Sequence, residues 1–192
     1  MRIKICGITR PEDAQYAEKA GADAIGVVVF SGGVSRRHVP PKRAREIFGA
    51  VGPFTTTVAV SHTTSEEELR RMIALRPHAI QISHPFGFDE KPDVKIIRVI
   101  GRGDPLPEDC DAIIVDDSHG QGRDFDPLYA ADAVKRSKIP VILAGGLTQE
   151  NVGEAIRRVR PYAVDVASGV EISPGIKDHE KIRAFVEAVR SV

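Results

Sequence analysis

The sequence has no tryptophan and only two cysteines, and it carries no excess of either charge: Lys and Arg total 27, as do Asp and Glu. The few cysteines and the balanced charge each remove a class of protein. Cys6 and Cys110 form no CxxC pair and join no histidine-bearing cluster with ligand spacing, which argues against a structural zinc site. Balanced charge leaves no net field to draw the chain to nucleic acid or an anionic membrane, so an anionic ligand must be held by local groups. No apolar run reaches the roughly 20 residues that span a bilayer, and Met1-Arg-Ile-Lys-Ile-Cys enters a strand pattern with no apolar signal segment before it. The expectation is a soluble, reduced, cytoplasmic protein with neither nucleic-acid nor membrane partners.

What is present is one core and a regular alternation. A chain of 192 residues, 42% hydrophobic and 28% charged, can bury one substantial core and is short for two, so residues 1–192 are read as a single domain. Short β-branched runs recur at 3–8, 24–30, 54–61, 79–83, 94–100, 112–116, 140–144 and 163–167. Helical periodicity falls at 11–20, 41–50, 65–75, 127–137, 149–159 (capped by Thr148) and 179–189. Eight strands and six helices imply parallel βαβ units. The even-numbered strands resemble one another: Gly21-Ala-Asp-Ala-Ile-Gly, Arg76-Pro-His-Ala-Ile-Gln-Ile, Asp109-Cys-Asp-Ala-Ile-Ile-Val and Arg160-Pro-Tyr-Ala-Val-Asp-Val. Such self-similarity favours a closed (β/α)8 TIM barrel over the alternative, an open doubly wound sheet. Residues 84–93 and 101–109 leave space for a turn at most, so the fourth and fifth helices should be abbreviated or replaced by loops.

Strands of a parallel barrel are buried on both faces and should be almost wholly apolar. Several here are not. Side chains alternate with period two, which sets Lys4 and Cys6 opposite Ile3 and Ile5, Gln81 and Ser83 opposite Ile80 and Ile82, and Arg98 opposite Ile97 and Val99. Likewise Asp116 falls opposite Ile113 and Val115, and Asp165 opposite Val164 and Val166. If the apolar sets face the helices, the inward set is Lys4, Cys6, Gln81, Ser83, Arg98, Asp116 and Asp165, whose burial is costly unless they pair with one another or with a ligand. Cys6 and Asp116 end their strands, on the face where barrels of this kind place their chemistry. Lys4 and Arg98 lie deeper, as partners of the acids. A cysteine beside a strand is often only a small core residue, the reading taken for Cys110, and an aspartate after a strand often only ends a turn.

Two glycine-bearing loops follow the last two strands. Leu143-Ala-Gly145-Gly146-Leu and Val166-Ala-Ser168-Gly169-Val let the backbone approach a ligand and aim N–H groups at it, and loops in these positions commonly bind phosphate. The blander reading of Gly145-Gly146 is a tight strand-to-helix turn.

Together Lys4-Ile-Cys-Gly-Ile-Thr, Gly21-Ala-Asp-Ala-Ile-Gly, Ser35-Arg-Arg-His-Val, Leu143-Ala-Gly-Gly-Leu, Asp165-Val-Ala-Ser-Gly-Val-Glu and Pro174-Gly-Ile-Lys-Asp resemble the phosphoribosylanthranilate isomerases of tryptophan biosynthesis, from the first strand to the last helix. The resemblance implies an Amadori rearrangement of N-(5-phosphoribosyl)anthranilate to 1-(2-carboxyphenylamino)-1-deoxyribulose 5-phosphate, with Cys6 as general base and Asp116 as general acid. It also implies that Arg37 binds the anthranilate carboxylate, that Asp165 belongs to the site, and that Gly145, Gly146, Ser168 and Gly169 hold the phosphate. No cofactor and no metal are implied, and the chain would work as a monomer or homodimer on a small phosphorylated substrate. One departure is local: the family's Gln-Leu-His-Gly reads Gln81-Ile-Ser-His-Pro here, which shifts the histidine to His84. Two other phosphosugar barrels compete, an indoleglycerol phosphate synthase and a histidine-pathway isomerase. The first needs a lysine and glutamate set and the second an aspartate where Cys6 stands. A catalytically silent phosphate sensor or an RNA-binding barrel is the non-enzymatic alternative.

Overall fold

In the computed structural model, which describes residues 1–32, 35–88, 92–116 and 126–192, the alternation of short strands and amphipathic segments closes into a barrel. The parallel strands β1 (Arg2–Ile5), β2 (Ala24–Val28), β3 (Thr56–Ser61), β4 (Ala79–Ile82), β5 (Lys95–Ile100), β6 (Ala112–Val115), β7 (Val141–Leu143) and β8 (Ala163–Val166) pair in chain order, and β8 returns to β1. An open doubly wound sheet is thereby ruled out. Around it lie α1 (Pro11–Ala20), α2 (Pro41–Phe48), α3 (Glu66–Ile73), α4 (Pro127–Arg136), α5 (Val152–Val159) and α6 (His179–Arg190). Among the described residues no helix separates β4 from β5 or β5 from β6. After β8 come a single 3₁₀ turn (Ser168–Val170) and an antiparallel pair, β9 (Glu171–Ser173) and β10 (Ile176–Lys177).

Local chemistry sets the helix ends. Pro11 opens α1, and Gly21 closes it in the left-handed region with its N–H on the carbonyls of Ala17 and Glu18. Asp126 and Asp178 cap α4 and α6 through two backbone N–H groups each. Thr148 does not cap α5. Its hydroxyl accepts from the Glu150 N–H (3.3 Å) and its carbonyl from the Val152 N–H, so 148–151 form a turn and the helix starts at Val152, three residues later than the periodicity suggests.

The resemblance among even-numbered strands has a physical basis. Gly21, Arg76 and Arg160 all adopt positive φ, turning the chain out of a helix, and two residues later Asp23, His78 and Tyr162 lead into β2, β4 and β8. The Asp23 carboxylate accepts the Ile3 N–H at 2.8 Å, the His78 Nδ1 accepts the Thr57 N–H at 3.0 Å, and the Asp111 carboxylate before β6 accepts the Ile96 N–H at 2.9 Å. Each of these three side chains satisfies the opening of the preceding odd strand, which gives the first three copies of the pattern a common role.

Two apolar layers result. Isoleucines and valines such as Ile3, Ile5, Ile25, Ile80, Ile113 and Val164 pack outward against Ala14, Ala17, Ile47, Met72 and Phe185 of the helices. Each fully buried Ile or Phe among them contributes about 1.5–3 kcal/mol. Inside the barrel a smaller cluster joins Cys6 to Val28, Val58, Val60, Ile97, Val99 and Ile114. The inward parity therefore holds for β1, β4, β6 and β8 but not for β5. Ile97 and Val99 face inward, Ile96 and Ile100 outward, and Arg98, in register with Ile82 and Ile113, shares the outward face. Lys95-Ile-Ile-Arg-Val-Ile offers apolar residues of both parities, so hydrophobicity alone leaves its phase open; the register with β4 and β6 fixes it. Arg98 donates to the Ser83 carbonyl (3.4 Å) on the side where a helix is missing.

Candidate active site

The carboxyl ends of the strands gather the polar residues. Lys4 and Asp165 stand side by side on β1 and β8, their side chains 2.8 Å apart and both buried. Removing one partner of such a pair strands the other and costs about 3–5 kcal/mol. Burial works against the Lys4 ammonium, but Asp165 and the Cys6 sulfur outweigh it and hold its pKa above the ordinary lysine value. Burial pushes the Asp165 carboxyl up, with Lys4 pulling the other way and Asp116 adding to the rise. Cys6, one step beyond the end of β1, donates its backbone N–H to the Val166 carbonyl and turns its thiol into the barrel. Burial pushes this thiol up as well; Lys4 and Lys177 oppose the rise and Asp165 adds to it. Gly26 of β2 makes the space. A Cβ built there would lie 2.8 Å from the Cys6 Sγ and 3.1 Å from the Lys4 Cε.

Arg37 comes from the loop after β2, which is drawn back onto that strand by the Val39 N–H on the Val28 carbonyl (2.9 Å); within the loop the Arg37 N–H donates to the Ser35 hydroxyl. Its side chain crosses Gly7, whose φ of +73° favours glycine and whose missing Cβ would otherwise sit 2.4 Å from the Arg37 Cδ. The guanidinium meets Glu171 side-on: Nε donates to Oε1 at 2.9 Å and Nη2 to Oε2 at 2.7 Å. Glu171 Oε1 also accepts from Lys177 Nζ (2.9 Å) and from the Gly175 N–H (3.1 Å). Burial disfavours the Glu171 carboxylate, yet Arg37 and Lys177 keep its pKa below the usual glutamate value. Lys177 donates further to the Ala167 carbonyl (3.0 Å), which ties this ion cluster to the end of β8. None of Gly7, Gly26, Glu171 and Lys177 is singled out by the sequence reading. Their signal lies inside the quoted motifs, but β9 and β10 are too short for a parity reading, and a glycine's emptiness matters only once its neighbour is known.

The loops after β7 and β8 meet. Gly145 and Gly146 both have positive φ, and Asn151 donates to the Gly146 carbonyl (2.9 Å) while accepting the Thr148 N–H (2.8 Å). Ser168 and Gly169 open the 3₁₀ turn, and a Cβ on Gly169 would fall 2.0 Å from the Leu147 carbonyl oxygen. Only glycine lets these two loops close on each other.

Asp116 follows β6, half-buried, its N–H on the Ile100 carbonyl (3.1 Å). Gln81 also points inward, its buried Oε1 without a partner among the described residues. His84 lies edge-on against Phe86, ring centroids 4.7 Å apart. Among the described residues no group of three or more His, Cys, Asp or Glu is arranged to hold a metal ion, and no helix is long and apolar enough to cross a membrane.

Known proteins share this sequence pattern and this fold. Residues 3–188 match the family model of N-(5'-phosphoribosyl)anthranilate (PRA) isomerase. An N-(5'-phosphoribosyl)anthranilate isomerase of Methanoregula boonei is 65% identical over 190 residues, covering 99% of this chain and 97% of that protein. The crystal structure of phosphoribosyl anthranilate isomerase from Thermus thermophilus superposes with a TM-score of 0.84 at 36% identity, over 100% of this chain and 99% of that one. A phosphoribosyl anthranilate isomerase solved in complex with reduced 1-(o-carboxyphenylamino)-1-deoxyribulose 5-phosphate superposes at 0.80 with 32% identity, both chains covered in full. With the barrel and these relatives in agreement, the chain belongs to the N-(5'-phosphoribosyl)anthranilate isomerase family, enzymes of tryptophan biosynthesis.

Proposed function

We propose that this barrel carries out the Amadori rearrangement of N-(5-phosphoribosyl)anthranilate with Cys6 as general base and Asp116 as general acid. The observation that carries the reading is the grouping of Cys6, Asp116, Arg37 and the two glycine loops around one mouth of the barrel. A sugar phosphate bearing an aromatic carboxylate has two anionic ends. The relative solved with the reduced product analogue supports a ligand of this kind. Backbone amides at Gly145, Gly146, Ser168 and Gly169 receive the phosphate, and Arg37 receives the carboxylate. The Nε–Nη2 edge of Arg37 is held by Glu171, which fixes the direction of the guanidinium. Two fixed ends hold the sugar carbons between acid and base.

The proton movements then balance as an isomerisation. Asp116 donates a proton to the furanose oxygen, the C1–O bond breaks, and the amine nitrogen supplies electrons to form an iminium. That iminium acidifies the C2 proton, which the Cys6 thiolate removes to give an enolamine. The enol loses its O–H proton as C1 gains one, and the aminoketose results. Asp165 sits beneath this exchange as partner of Lys4 and shapes the charge below the sulfur.

All these residues come from one barrel, a single domain of residues 1–192, so a monomer suffices and a homodimer would leave the chemistry unchanged. A thiol base suits a reducing compartment, the cytoplasm.

The test is complementation of a tryptophan auxotroph lacking the isomerase. Growth with the wild-type chain and none with its Cys6→Ala variant is the expected result; growth with both would remove Cys6 from the reaction. A second measurement addresses the carboxylate end. Arg37→Ala should raise KM about ten- to a hundredfold, the loss of a charge-assisted hydrogen bond, with a smaller change in kcat. Glu171 keeps Lys177 and the Gly175 N–H in that variant, so the fold should survive. An unchanged KM would take Arg37 out of substrate binding.

A further inference from the structure

A thiol base inside a barrel faces a physical obstacle: the thiolate is the active form, and burial disfavours it. Something nearby must supply positive charge. The empty position at Gly26 locates a cation close by. A single point on β2, where a Cβ would stand, lies 2.8 Å from the Cys6 Sγ and 3.1 Å from the Lys4 Cε, so both side chains fill the notch that glycine leaves. Sulfur and Cε are therefore no more than about 6 Å apart, within the range where an opposite charge controls ionisation. The Lys4 ammonium is one bond further on and is anchored by Asp165 at 2.8 Å.

We propose that Lys4 is a positioning residue for the reaction: its ammonium, anchored by Asp165, stands beside the Cys6 sulfur and stabilises the thiolate that removes the C2 proton. The proposal rests on the reading of Cys6 as the base. The charged groups acting on this sulfur are Lys4 on the same strand, Asp165 on β8, Lys177 on β10 and Arg37 from the loop after β2, while Asp116 acts on Asp165; β2 contributes only Gly26 at this level. Lys4 is paired with Asp165, and Lys177 and Arg37 with Glu171, so no bare positive cluster serves the sulfur. Proximity has to do so, and Lys4 is the cation built against the same glycine notch. Asp165 then has two opposed effects, holding the ammonium in place and repelling the thiolate.

The test follows the Cys6 thiolate directly, by its ultraviolet absorbance against pH, taking each protein minus its own Cys6→Ala counterpart so that Cys110 and the tyrosines cancel. Because Lys4→Met alone strands a buried carboxylate, the decisive variant is Lys4→Met with Asp165→Asn, which removes both charges together. Its thiolate midpoint is expected to rise by about one pH unit or more relative to Asp165→Asn alone, and the rising limb of kcat/KM against pH should move with it. Lys4→Arg, which keeps the charge, should restore much of the midpoint. An unmoved midpoint in the folded double variant would overturn the proposal and leave Lys4 as a structural partner of Asp165. A midpoint that moves while the kcat/KM profile stays put would instead overturn Cys6 as the base, and with it any role for Lys4 in turnover.

Discussion

Cys6→Ala is expected to lower kcat about a hundred- to ten-thousandfold, the contribution of a positioned general base, while the barrel stays folded. The fold survives because the change removes one sulfur from an interior cluster whose other members, Val28, Val58, Val60 and Ile114 among them, are untouched, and alanine suits a strand end. Lys4 keeps Asp165, so no buried charge is stranded. Cys6→Ser should fare little better, since a hydroxyl in the same place ionises far less readily than a thiol. The pH dependence carries the sign. Burial holds the thiol above its ordinary pKa, so the thiolate fraction, and with it kcat/KM, climbs as pH rises through the neutral range. That climb should vanish in Cys6→Ala. Stopped-flow or steady-state assay of both proteins across pH, with circular dichroism to show retained structure, checks the result. Near-normal turnover in the alanine variant would leave the barrel without this base.

Much of this site was legible because parity is a strong signal wherever one face of a strand is polar. Lys4 and Cys6 alternate with Ile3 and Ile5, and Asp165 with Val164 and Val166; in both strands the polar residues point inward as the pattern requires. The same rule failed on β5, where Ile96 and Ile97 are adjacent and Arg98 falls outside rather than inside. Parity gives the phase of a strand only when one of its faces is distinctive. Helix positions were readable from periodicity, and α1 is bounded by Pro11 and Gly21, whose geometry is local; the cap read at Thr148 was not borne out, because 148–151 form a turn and α5 begins at Val152. The cluster of Arg37, Glu171 and Lys177 was not, because it joins residues 134 positions apart in sequence and depends on a bulged two-strand ribbon that no periodicity marks. Gly7 and Gly26 show the same limit. Their function is an absence of side chain, and what fills the space, Arg37 in one case and Cys6 with Lys4 in the other, comes from a neighbouring segment or strand.

Asp116→Asn is the counterpart to the cysteine variant and should also cost kcat/KM about a hundred- to ten-thousandfold. The amide keeps nearly the shape of the carboxylic acid and leaves the backbone bond from residue 116 to the Ile100 carbonyl in place, but it has no proton to give to the furanose oxygen. Stability separates this loss from simple damage. Asp116 adds to the pressure that pushes Asp165 up, so replacing its carboxylate by an amide removes a repulsion from the buried Lys4–Asp165 pair. With the shape kept and that repulsion gone, the variant's Tm at neutral pH should stay close to that of the wild type. Binding gives a further distinction: a reduced product analogue has no ring to open, so its Kd should stay within about twofold while turnover collapses, the pattern of an interaction made only on the way to the transition state. Isothermal titration, thermal denaturation and steady-state kinetics on one preparation decide the matter. A collapse of activity with a matching fall in Tm or in analogue binding would make Asp116 a structural residue of the β6 end, and the acid would have to be sought among the other groups at the barrel mouth.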